Sequence, residues 1–132
     1  MGALALATAF GYGWRARNGQ LRERPAQQTS EPALSAADLR QPLGSRATLV
    51  QFSSAFCAPC RATRQILGEV AGMVDGVTHV EIDAESRLDL VRRLGVLRTP
   101  TMFVLGPDGQ ITHRASGQPR KAEVIVAIGA LV

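Results

Sequence analysis

The only two cysteines of the chain, Cys57 and Cys60, stand three apart in the stretch SSAFCAPCRATRQ. Thiols at that spacing can close a small disulfide and open it again, which is thiol–disulfide exchange chemistry. A CxxC at a helix start places its first sulfur among the free N–H groups of the first turn, where the helix dipole favours negative charge. A dipole effect of about 0.3 to 2 kcal/mol moves a thiol from about 8.5 towards 7, where thiolate is abundant and still nucleophilic. Pro59 suits the first helical turn, because its missing N–H would have no helical partner there. It also shapes the turn that brings Cys60 beneath Cys57. Arg61 and Arg64 add positive charge, but side chains that reach solvent contribute little.

Two other uses of the pair are weaker. A structural disulfide stabilises by closing a long loop, and this one would close almost none. Structural zinc wants four ligands, and the only histidines, His79 and His113, lie on separate predicted strands. No metal site is expected. A second signal is Arg98-Thr99-Pro100-Thr101, where proline at a strand entrance reads as a special turn, compatible with a cis peptide.

The elements that must hold these residues alternate. Ser35 caps a short helix, and ATLVQF is a buried strand at about residues 47–53, with the cysteine pair at its C-terminal end. Ile66, Leu67, Val70, Met73 and Val74 fall on one stripe of the next helix, and VTHVEID is a second strand. Leu88, Val91 and Leu94 share one face of a further helix stopped by Gly95. TMFVL and ITHRAS form a hairpin around Pro107-Asp108-Gly109, and KAEVIVAIGALV closes the chain as a helix. This order predicts an α/β fold, a central mixed β-sheet flanked by helices.

At 132 residues and 45% apolar, the chain suits one domain with a substantial core. Its net charge is +4, with fourteen of fifteen basic residues arginine. These arginines are scattered and aromatics make up only 5%, so nucleic acid is not an expected partner. Residues 1–17 begin with an uncharged apolar run from Met1 to Trp14, short of the roughly 20 residues a membrane span needs. Three readings of it stay open: the end of a longer anchor, a weak signal peptide, or an exposed apolar tail. The basic residues follow the run rather than precede it, which counts against export. As an anchor through residues 3–14, it would leave the following domain in the cytoplasm. The expectation is thus a membrane-tethered domain facing the cytoplasm, or a cytoplasmic one. Residues 18–33, polar and rich in Pro and Gln, read as a linker, with the folded domain at 34–132.

Taken together, FSSAFCAPCR, the VEID strand, GVLRTPTMFVL and PDGQITHRASG resemble the thioredoxin family in order and spacing, over about residues 34–132. The resemblance implies the thioredoxin fold, with Pro100 cis and facing a redox-active Cys57–Cys60 disulfide, and no other cofactor. It implies Cys57 as nucleophile, Cys60 as the resolving thiol, and Thr99 backbone pairing with a substrate chain. Gly117 falls where the family has a glycine lining the substrate groove, and Phe56 replaces the usual tryptophan before the first cysteine. The implied partners are protein thiol or disulfide substrates and an upstream redox partner. Beyond Phe56, the sequence departs from the family in four further places: Gln51 where a buried Asp is usual, Ser53 for a tryptophan, CAPC for CGPC, and Gln65 for a kinking proline. Gln51 cannot exchange a proton at neutral pH, so proton transfer to Cys60 is expected to use water, His79 or Glu81. The expected function is a thiol–disulfide oxidoreductase acting as a reductase. The alternative is a thioredoxin-fold binding module without essential redox chemistry.

Overall fold

Seven consecutive residues, Ala47–Ser53, are all buried, which a strand achieves only when both of its faces are covered. In the computed structural model, which describes residues 21–23 and 33–131, this strand lies inside a five-stranded sheet. The elements are β1 (Arg22–Glu23), α1 (Ala36–Leu39), β2 (Ala47–Ser53), α2 (Ala58–Met73), β3 (Val77–Asp83), α3 (Leu88–Leu94), β4 (Thr101–Leu105), β5 (Ile111–Ser116) and α4 (Lys121–Gly129). The sheet order is β1-β5-β4-β2-β3. β3 runs parallel to β2, while β4 is antiparallel to both β2 and β5, so the sheet is mixed.

The period-2 alternation of strand side chains divides the core in two. Val50, Phe52, Phe103 and Leu105 face one side, where they pack with Leu39, Leu90 and Leu94 of α1 and α3. Leu49, Met102 and Val104 face the other, against Leu67 and Val70 of α2 and Val124, Ala127 and Ile128 of α4. The Phe52 and Phe103 rings meet edge to face with centroids 5.9 Å apart, tying β2 to β4.

Helix α1 is held by a reciprocal cap. Asp38 N–H donates to Ser35 Oγ at 3.1 Å, and Ser35 N–H donates back to Asp38 Oδ2 at 2.9 Å. Arg93 from α3 reaches the same carboxylate at 3.0 Å. Its hydrogen bond, with that of the Ser35 backbone, draws the Asp38 pKa down to about 2. Helix α3 ends at Gly95, whose φ of 64° is open to glycine at little cost. Both Nη atoms of Arg114 donate at 2.6 Å to the Leu94 and Gly95 carbonyls, fixing the turn that leads to Pro100.

Three expectations need correction. Leu88 is exposed and Leu90 is buried, so the inward face of α3 carries Leu90 and Leu94 with Val91 at its margin. Met73, placed on the buried stripe of α2, is exposed at the last residue of the helix. Within the stretch expected to be a linker, Arg22 and Glu23 pair with Arg114 and His113 as the edge strand β1, and Leu21 packs against the core beside α2. Two residues joined through backbone bonds leave no apolar period to read. The anchor reading of residues 1–17 lies outside the described residues. Among the described residues, no helix is long and apolar enough to cross a membrane.

Candidate active site

β2 delivers the chain to the site and α2 receives it. Between them, Phe56 adopts a φ of 58°, uncommon for a bulky residue, and its side chain stands fully exposed beside Cys57. Cys57 is the N-cap of α2, and its sulfur accepts a hydrogen bond from Cys60 N–H at 3.2 Å. A first-turn donor thus points at the sulfur, as the helix-start argument requires. Pro59 sits in the first turn. The two cysteines are joined as a disulfide with Cα atoms 5.2 Å apart. Their exposures differ, since Cys57 is partly open to solvent and Cys60 is buried. An incoming group can reach the first sulfur far more readily than the second.

A second loop faces the first. Thr99–Pro100 is a cis peptide bond at the entrance to β4. Ser54 and Thr99 join their hydroxyl oxygens at 2.7 Å, bringing the loop before Cys57 against the loop before Pro100. Gly117 N–H donates to the Pro100 carbonyl at 2.8 Å, and its φ of 95° is one that side chains rarely adopt. β2 ends, β4 begins and β5 ends at the same edge of the sheet, as the register of Phe52 with Thr101 and of Thr101 with Ser116 requires. Topology therefore gathers Cys57, Phe56, Thr99, Pro100 and Gly117 on one rim. Sequence reasoning passed over Leu97, almost fully exposed two residues before Thr99, and Ser54. An apolar residue between a helix-stop glycine and the proline turn was the available signal for Leu97.

Beneath Cys60 runs a string of polar side chains. Gln51 is completely buried, and its Nε2 donates to the Cys60 carbonyl and to Ser53 Oγ, both at 2.8 Å. Its Oε1 lies 3.2 Å from His79 Nε2. Since Oε1 only accepts, His79 must carry its proton on Nε2. Ser53 Oγ donates in turn to Glu81 Oε2 at 3.2 Å, which also takes Arg64 Nε at 2.7 Å. Both groups considered for proton transfer therefore connect to Gln51, His79 directly and Glu81 through Ser53. Burial pushes the His79 pKa below its ordinary value, Glu81 opposes that shift, and Arg64 reinforces it. Among the described residues, no group of three or more His, Cys, Asp or Glu side chains is placed to hold a metal ion.

The chain is similar to known proteins in sequence and in fold. The family described as Thioredoxin matches residues 33–130. The chain is 27% identical over 108 residues to Thioredoxin-2 of Pyricularia oryzae, covering 80% of this chain and 63% of that protein. It is 25% identical over 84 residues to Thioredoxin domain-containing protein 2 of Homo sapiens, covering 64% of this chain and only 15% of that protein. The chain therefore spans less than two thirds of these two curated relatives. A mutant thioredoxin from Halobacterium salinarum superposes with a TM-score of 0.60 over 66% of this chain and 75% of that one. At 20% identity, that likeness speaks for the fold.

Proposed function

The chain belongs to the thioredoxin family, and we propose that its domain is a thiol–disulfide oxidoreductase that exchanges disulfides with protein thiols through Cys57 and Cys60. The observation that carries this reading is the asymmetric disulfide, with one sulfur half-open at a helix N-terminus and the other buried below it. In the reducing direction, the Cys57 thiolate attacks one sulfur of a substrate disulfide. That S–S bond breaks, the departing substrate thiolate takes a proton from water, and a Cys57–substrate disulfide forms. Cys60 then gives its proton to solvent and attacks Cys57 Sγ. The second substrate thiolate leaves, and Cys57–Cys60 closes as the disulfide. Two electrons have passed to the substrate, and an upstream dithiol donor restores the pair. The family's chemistry uses this disulfide itself and no other cofactor.

The N-terminus of α2 favours the thiolate of Cys57 over that of Cys60, which assigns the roles of attacker and resolver. Phe56, Thr99 and Gly117 are assigned to the substrate chain, with the Thr99 backbone pairing in β fashion and Phe56 supplying apolar surface beside the sulfur. Pro100 is assigned to the same rim, bonded through its carbonyl to Gly117 N–H. Reduction of protein disulfides goes with a cytoplasmic placement of the domain, tethered through residues 3–14 or free.

The test is capture. Cys60→Ser leaves Cys57 able to attack but removes the resolving sulfur, so substrates should accumulate as mixed disulfides on non-reducing gels and vanish with dithiothreitol. Cys57→Ser should capture none. Absence of adducts with Cys60→Ser in cells would overturn the exchange reading.

A further inference from the structure

A primary amide has two N–H donors and one carbonyl acceptor, and Gln51 uses all of them inside the protein. One donor goes to the peptide carbonyl of Cys60 itself, nine residues along the chain. The acceptor receives His79 from the neighbouring strand, and the other donor meets Ser53, whose hydroxyl in turn donates a hydrogen bond to Glu81. Because Gln51 is completely buried, no water can replace a bond it loses. An aligned string of this kind holds the amide in one orientation, and the amide holds Cys60.

We propose that Gln51 is a positioning residue for the resolving cysteine, fixing the Cys60 peptide, and with it the approach of the Cys60 sulfur to Cys57, while His79 aligns the Gln51 amide. This rests on the exchange reading given above. The step concerned is the second one, in which Cys60 loses its proton to solvent, its sulfur bonds to Cys57 Sγ, and the bond between Cys57 and the substrate breaks. In the first step only the Cys57 sulfur reacts, and the Cys60 N–H that orients it belongs to the peptide unit before the one whose carbonyl Gln51 holds. Losing the Gln51 bond therefore slows resolution and spares the initial attack. Gln51 makes this contribution without titrating, unlike a carboxylic acid at the same place.

The reduced full-length chain, mixed rapidly with 5,5′-dithiobis(2-nitrobenzoic acid), reads the two steps separately by the absorbance of the released thionitrobenzoate. The first equivalent reports attack by Cys57 and the second reports resolution by Cys60. Gln51→Met keeps much of the shape and removes the donors, and should slow the second release roughly tenfold with the first unchanged. His79→Leu should slow the second release less, and His79→Gln, whose amide N–H can still donate to Gln51, should restore it. An unchanged second release in Gln51→Met, or equal slowing of both phases, would overturn the proposal. If Gln51→Met does not fold by circular dichroism, the His79 pair decides alone, since His79 lies half-buried on the edge strand β3. Identical second phases in His79→Leu and His79→Gln would then sink it. Wild-type protein that released only one equivalent would overturn the exchange reading itself, a result distinct from either of these.

Discussion

His79 and Glu81 sit two residues apart on β3, the first half-buried and the second exposed. Folding takes the His79 imidazole partly out of water, which disfavours its charged form and sets its pKa below the ordinary value of about 6.5. The unfolded chain then binds a proton at higher pH than the folded one. The stability this group contributes is complete above about 6.5 and is lost as pH falls through the window beneath it. Denaturant unfolding at pH 8 and pH 5.5 should show the loss, and His79→Gln should flatten the slope across that window. An unaltered slope would mean that the burial of His79 does not govern it. At this scale, the cysteine pair was readable because its chemistry depends on spacing along one chain. The partners of Gln51 were not, since they come from β3 and α2 and depend on register and helix phase. The expectation that His79 or Glu81 would connect to the site needed that register to become specific.

The helices show where periodicity is sufficient and where it fails. Helix α2 has 16 residues, and its buried line through Thr63, Leu67 and Val70 follows the spacing seen in the sequence as far as the last turn. Helix α3 has seven, and two phases of a 3.6-residue period fit so short a segment. Leu88, Val91 and Leu94 form one apolar set, while packing against the sheet selects Leu90 and Leu94. Substitution separates the two. Leu90→Ala empties a filled site and should cost about 2–5 kcal/mol in denaturant unfolding, whereas Leu88→Ser on the exposed side should stay within about 0.5 kcal/mol. The opposite order would restore the phase inferred from sequence alone. Gly95, by contrast, is legible as a stop because its positive φ is a backbone requirement independent of phase.

Across the whole molecule, alternation of strand and helix implied a mixed sheet covered on both faces, and the two core clusters on opposite sides of β2 fulfil it. Sheet order was less accessible, because β1 joins through two backbone pairings at the far edge beside β5. The fold matters to function chiefly by where it ends its strands. β2, β4 and β5 meet at one rim, so residues separated by sixty positions in sequence, from Cys57 to Gly117, border a single site. The proposed exchange depends on that rim carrying a reversible dithiol. Its most direct test is to equilibrate the full-length chain with dithiothreitol buffers of graded ratio and count free thiols at Cys57 and Cys60. The predicted result is one reversible two-electron transition with a midpoint at about −250 mV or below, as befits a protein that donates electrons to oxidised partners. A midpoint above about −180 mV would contradict the reductive direction, and the absence of any reversible transition would contradict disulfide exchange altogether.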